Sequence, residues 1–144
     1  MERMGLLANG VGYDSVPLDK VAWRLGQADI VLLPHGLTGG LAPEEYQTIF
    51  PTKTIECLLS GKPILSHSPP GSFLTRFLKE HDCALVVETP DTEEIYRAID
   101  RLREDEKLRA RLVRNALKAV RMFEAPAVAR ELRDRVSHRG AQKA

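Results

Sequence analysis

Cysteine is scarce in this chain of 144 residues. Cys57 and Cys83 sit inside apolar runs, without CxxC spacing. That setting favours buried thiols in a reducing cytoplasm over a disulfide or a metal pair. Net charge is nearly absent too, at +1, so no overall electrostatic case exists for nucleic acid or an acidic membrane. No apolar run approaches the roughly 20 residues that span a bilayer. The opening MERMGLLANG is too brief and polar for a secretory signal. A cytoplasmic location is the expectation, with peripheral membrane contact left open. The chain has no Walker loop, Rossmann GxGxxG, Ser/His/Asp series, internal repeat or low-complexity linker, and no histidine pair has metal-ligand spacing.

What remains is an ordinary globular composition, 43% apolar and 28% charged, of one-domain length. Apolar bursts alternate with amphipathic segments, which predicts βα units and a parallel sheet. Leu6 to Tyr13 is a short candidate strand. Pro17 to Ala28 reads as a helix, Pro17 in its first turn and Leu18, Val21, Ala22 and Leu25 along one face. Ile30 to Leu33 is a continuous apolar strand, suited to cover on both sides and ended by Pro34. The stretch from His35 to Ile49 reads as a long loop at the carboxyl end of that strand, where doubly wound sheets place ligands.

A helix from Pro51 to Ser60 follows, with Gly61 as its stop, then the strand Pro63 to His67. Ser72 is read as the cap of a helix carrying Phe73, Phe77 and Leu78, and Cys83 to Val87 as a further strand. Beyond Val87 the pattern is helical. Ile95, Ala98, Ile99 and Leu102 keep one face, and Leu108, Leu112, Ala116 and Val120 continue it in four-residue steps. A last helix is expected from about Ala125 to Val136. The domain is thus read as residues 1–136, with 137–144 a disordered tail. The many arginines from Arg97 to Arg135 are read as alternating with acids on a solvated face.

The stretch FPTKTIECLLSGKPIL, Phe50 to Leu65, carries the chemistry. With Pro51 at the first helical position, the free amides of Thr52, Lys53 and Thr54 would face the long loop and favour an anion. Lys53 adds a point charge and Thr52 a hydroxyl. Thr52, Lys53 and Glu56 share one face, and Glu56 stands among Ile55, Cys57, Leu58 and Leu59, where a carboxylate needs a partner. Two vicinal ribose hydroxyls would serve. The alternative is an ordinary Lys53–Glu56 helix pair, worth about 0.2–0.5 kcal/mol. His35 and His67 each end a strand at the same edge, whereas His81 and His138 read as surface residues.

ADIVLLPHG, FPTKTIECLLSGKPIL, the following Pro-Gly turn and CALVVETPDTEEIYRAIDRL together resemble the donor-binding lobe of family-4-type glycosyltransferases of the GT-B fold, from about Gly12 to Val136. The resemblance implies a Rossmann-like α/β domain, its parallel sheet flanked by helices, with a helical carboxyl-terminal extension. It implies transfer of a sugar from a nucleoside-diphosphate sugar to a glycan, lipid or small acceptor. Glu56 matches the glutamate that binds the nucleotide ribose. Pro51, Thr52 and Lys53 match the loop-to-helix junction beside the donor diphosphate, Gly39 and Gly40 lie in the loop expected beside the sugar, and His35 is a candidate contact. No metal or other cofactor is expected, since basic groups neutralise the leaving diphosphate in this family.

The chain departs from the family pattern in two places. Many members carry an acid eight residues before the ribose glutamate, where this chain has Thr48. Glu44 or Glu45 could substitute only with a differently folded loop. The two βα units and acceptor lobe that precede this segment in the family have no counterpart before Gly12, so a carboxyl-terminal fragment or one half of a split enzyme is the expectation. No residue can be named as a catalytic base. The rival readings are a non-catalytic nucleotide-binding fragment, a GT-B-fold nucleotide-sugar epimerase and, in another class, a flavodoxin-like signalling domain.

Overall fold

Strands β1 (Val31–Pro34), β2 (Ile64–His67) and β3 (Leu85–Val87) form a parallel sheet in the order β1-β2-β3, with Val31 opposite Ile64 and Leu65 opposite Leu85. The structure is a computed structural model that describes residues 12, 15–37, 42–130 and 133. The candidate strand Leu6 to Tyr13, the loop glycines Gly39 and Gly40, His138 and the tail 137–144 lie outside the described residues, Gly12 apart.

Side-chain alternation along the strands divides the interior in two. Val31, Leu33 and Ile64 enter one cluster with Cys57 and Leu58 of α3 (Lys53–Leu59), Leu74, Phe77 and Leu78 of α4 (Phe73–Glu80), and Ala116 and Ala119 of α6 (Glu106–Ala119). Leu65 and Val87 face the other side and meet Ala98 and Leu102 of α5 (Thr92–Glu104) together with Leu108 and Leu112 of α6. The four-residue step read from Leu108 to Ala116 is therefore a core face that serves both clusters. It does not continue the α5 helix unbroken. Asp105, at ψ 91°, ends α5, and its carboxylate accepts from the Leu108 amide at 2.8 Å to start α6. Arg109 then donates back to the Leu102 and Arg103 carbonyls at 2.8 and 2.6 Å, covering the open end of α5.

Strand β1 differs from the expected strand covered on both faces. Its burial alternates, with Leu33 fully buried and Leu32 56% exposed. The cause is reach: α5 packs on β2 and β3 and leaves the Leu32 face uncovered among the described residues. The helix expected from Pro17 to Ala28 is a 3₁₀ turn, Leu18–Lys20, leading into the short α1 (Val21–Leu25). Leu25 packs on the first cluster, but Leu18 is 83% exposed, because the segment reaches the core only at its carboxyl end. The long loop after β1 contains a one-turn helix, α2 (Pro43–Tyr46). Beyond α6 a 3₁₀ turn (Val120–Phe123) leads to helical residues 125–130.

All four phenylalanines of the chain gather in one cluster. The Phe50 ring lies 5.1 Å from Phe77, 5.3 Å from Phe123 and 5.8 Å from Phe73. Such offset and edge-on contacts add about 0.5–1.5 kcal/mol each beyond area burial. They anchor the chain immediately before α3 against α4 and the carboxyl-terminal turn, so the α3 amino end is held from its back.

Candidate functional site

At the carboxyl edge of the sheet, β1 ends in Pro34 and delivers His35, whose amide donates to the His67 carbonyl at 2.8 Å. The imidazole is half-buried and meets the Tyr46 ring of α2 edge-on, with centroids 5.5 Å apart. Burial, together with the positive charge of Lys53, lowers the His35 pKa from its ordinary value of 6.5. The charge on the first turn of α3 thus reaches the end of β1, and two of the residues picked from the sequence share one electrostatic environment.

Helix α3 begins at Lys53, two residues later than the expected start at Pro51. Thr52 takes the cap position with φ −56° and ψ −36°, and its side chain makes no capping bond. The entry is a tight turn: the Thr54 amide donates to the Pro51 carbonyl at 2.9 Å and the Ile55 amide to Thr52 at 3.1 Å. Thr54 therefore has no amide to offer an anion, in contrast to the sequence expectation. Thr52 and Lys53 are exposed, and Lys53 makes no ion pair among the described residues. The Lys53–Glu56 helix pair that was the ordinary alternative does not form.

Glu56 is half-buried, and its Oε2 is closed off from solvent without a hydrogen-bond partner. Among the described residues only two other buried side-chain atoms share that condition, Nε2 of His35 and Oγ1 of Thr54. All three belong to the end of β1 and the first two turns of α3. Buried polar groups are nearly always satisfied, and leaving one unpaired costs about 1–3 kcal/mol. Thr54 lies on the core face of α3, so the orphaned atoms suited to a ligand that supplies hydrogen-bond partners are those of His35 and Glu56. The sequence points to the Thr54 amide but not to its hydroxyl, although its spacing from Cys57 and Leu58 puts the side chain on the buried face of the helix.

The neighbouring loop is fixed by buried hydroxyls, of which only Ser72, as a helix cap, is expected from the sequence. Ser66, Ser68, Ser72 and Thr75 are all buried. Thr75 donates to the Pro69 carbonyl at 2.8 Å and accepts from Ser72 at 3.0 Å. It also pairs with Ser68 at 2.7 Å, while Ser66 donates to the Leu33 carbonyl at 3.3 Å. Ser72 accepts from the Thr75 amide and caps α4 as expected. Arg76 of α4 donates to the carbonyls of Gly71 and Gln47, which ties this loop to the end of α2. His67, paired at its Nε2 with the Thr89 carbonyl at 2.8 Å, serves a loop rather than the site. Glu45, one of the two acids considered in place of the missing acid at position 48, accepts the Ala42 amide through one carboxylate oxygen at 2.7 Å.

A cavity of about 550 Å³ lined by Asp29, Ile30, Leu102, Arg103 and Arg109 lies at the opposite, amino-terminal edge and includes none of these residues. The described residues contain no cluster of three or more side chains able to hold a metal ion. No helix among them is long and apolar enough to cross a membrane.

This is a Rossmann-like α/β domain, with its candidate site at the sheet edge where such domains bind ligands. The sequence model of the family described as "Glycosyl transferases group 1" matches residues 12–119, and the chain belongs to that family. A domain of this family implies a sugar donor and an acceptor in general terms. A comparison with curated proteins finds no match.

Proposed function

We propose that this chain is the donor-binding part of a family-4-type glycosyltransferase of the GT-B fold, holding a nucleoside-diphosphate sugar at the carboxyl edge of its sheet. The observation that carries the reading is the unpartnered, closed-off oxygen of Glu56 on the same helix as Lys53, which makes no ion pair among the described residues and whose charge acts on His35. Glu56 accepts from the two ribose hydroxyls, which supply the donors its buried oxygen lacks. Lys53, the amides of Thr52 and Lys53 and the Thr52 hydroxyl face the diphosphate, and Pro51 sets the turn that aims them. Charge grows on the diphosphate as the sugar departs, so a fixed cation there stabilises the transition state more than the ground state. Gly39, Gly40 and His35 are assigned to the sugar side. No metal takes part in this reading, because Lys53 and the amides carry the countercharge. The acceptor, a glycan, lipid or small molecule, requires a facing wall that the described residues do not form, and the reaction is placed in the cytoplasm.

Calorimetric titration with a set of nucleoside diphosphates tests the assignment. At least one is expected to bind, unaffected by a chelator, and Glu56→Gln is expected to weaken it at least tenfold, about 1.4 kcal/mol. Absence of binding by every nucleotide, or equal binding by the variant, would overturn it.

A further inference from the structure

The arginine-rich helices are not uniform. Acids accompany the basic residues of α5, but residues 107–123 hold six cations, Lys107, Arg109, Arg111, Arg114, Lys118 and Arg121, and no acid. The solvated face of alternating sign read from the sequence therefore describes α5 and not α6. Two of the six have partners: Arg109 covers the end of α5 and Arg111 pairs with Asp82 at 3.3 Å, while Lys107 lines a depression at the α5–α6 junction with Arg101, Glu104, Asp105 and Glu106. Arg114, Lys118 and Arg121 are exposed and make no ion pair or hydrogen bond among the described residues.

These three share one face. With Ala110, Val113 and Leu117 they line a shallow groove of about 580 Å³ along α6. Leu117 is 42% exposed between the cations, and Met122, just beyond them, is 51% exposed. The buried side of the same helix, Leu108, Leu112, Ala116 and Ala119, is fully used by the core. The cations thus hold no structural role that would explain them, and the apolar side chains beside them cover nothing among the described residues.

We infer that this face of α6 docks on an anionic lipid surface. Charge complementarity selects the sign of the partner. Val113 and Leu117 between the cations, with exposed Met122 just beyond them, select a bilayer over a polynucleotide, since apolar side chains enter the headgroup boundary while the cations meet lipid phosphates. Surfaces that bind single-stranded nucleic acid stack its bases on aromatics, and this face has none. The net charge of only +1 makes the attraction local to α6. Binding is weak and sensitive to salt, because three cations near the surface act within one screening length. The inference stands independently of the nucleotide site, which no residue of this face touches.

The test is co-sedimentation of the full chain with vesicles of phosphatidylcholine and with vesicles containing phosphatidylglycerol. Binding is expected to the anionic vesicles alone and to fade as salt is raised. The triple variant Arg114→Glu, Lys118→Glu, Arg121→Glu is expected to lose it, at about fivefold or more for each cation removed. Leu117→Ser is expected to weaken binding while keeping its salt dependence. Charge reversal on α5, Arg97→Glu with Arg101→Glu, is the control and should leave most binding in place. Equal circular dichroism of all variants confirms that each is folded. No binding to anionic vesicles would overturn the inference. So would equal loss from the α5 control, or binding of duplex DNA through the same three residues without binding to vesicles.

Discussion

The rings of His35 and Tyr46 meet edge-on at 5.5 Å with their planes at 81°, joining the end of β1 to the short helix α2. Burial, and then the Lys53 charge, keep the imidazole in surroundings that favour its neutral form. The consequence for stability has a definite sign. The unfolded chain takes up a proton near the ordinary pKa of 6.5, and the folded chain does so only at lower pH. Between those two values the unfolded state binds more protons, so stability falls as pH is lowered through that window and levels off below it. His35→Gln should flatten this part of a plot of thermal midpoint against pH. An unchanged slope in the variant would show that His35 does not titrate as described.

The orphaned atoms imply a conflict between stability and binding. Thr54→Val replaces a buried hydroxyl that has no partner by a methyl group of the same shape. It should leave the free protein equally stable or more stable, by up to about 1 kcal/mol in urea denaturation. Glu56→Gln likewise breaks no bond in the free chain and should not destabilise it, while nucleotide affinity falls. Destabilisation by both substitutions would mean that the two groups have partners within the fold.

The legibility of this chain follows from the range of each signal. The three strands, the Ser72 cap and the core face of α6 were readable because they depend on local periodicity and capping chemistry. Glu56 was readable because a carboxylate in an apolar helical run contradicts its surroundings. Other features depend on contacts between distant segments, and the pattern carried no trace of them. The exposure of Leu32 depends on where α5 happens to end. The withdrawal of the Thr54 amide depends on a 3₁₀ entry turn that Pro51 permits but does not demand. Four hydroxyls spread from Ser66 to Thr75 look like loop composition until folding closes them on one another.

That hydroxyl network should be unforgiving. Thr75 is its centre, accepting from Ser72, pairing with Ser68 and donating to the Pro69 carbonyl in a buried setting. Thr75→Val keeps the shape and leaves those partners unsatisfied, at about 1–3 kcal/mol each before relaxation. A net loss of about 2–4 kcal/mol is expected in chemical denaturation. Thr75→Ser keeps the hydroxyl and should recover most of it. If valine and serine variants were equally stable, the hydrogen bonds would be contributing nothing net.

The turn after α4 is held from α6. Asn115 donates through Nδ2 to the Asp82 carbonyl at 3.0 Å and to its carboxylate at 3.1 Å, while Asp82 sits at φ +46°, a backbone state that residues with a side chain rarely adopt. Asn115→Ala should cost about 1–2 kcal/mol through the lost bonds. Asp82→Gly removes the same carboxylate but relieves the backbone, so it should cost less. A larger loss from the glycine variant in thermal unfolding would show that the Asp82 carboxylate, with its Arg111 pair, outweighs the strain.

The cysteines offer a probe of the same core that leaves the sequence intact. Cys83 is fully buried, and burial pushes its thiol up to about 12. Cys57 is nearly buried and shifted in the same direction, by burial first and then by the Glu56 charge. The thiolate is the reactive form, so both should resist alkylation in the folded chain. Labelling should proceed only through opening of the structure and accelerate with denaturant along the unfolding curve. Because α3 carries Cys57 directly beside Glu56, a nucleotide bound at the proposed site should slow the labelling of Cys57 more than that of Cys83. Equal protection of both would mean that the ligand stabilises the domain globally, and fast labelling of Cys57 in the free protein would show that α3 opens on its own.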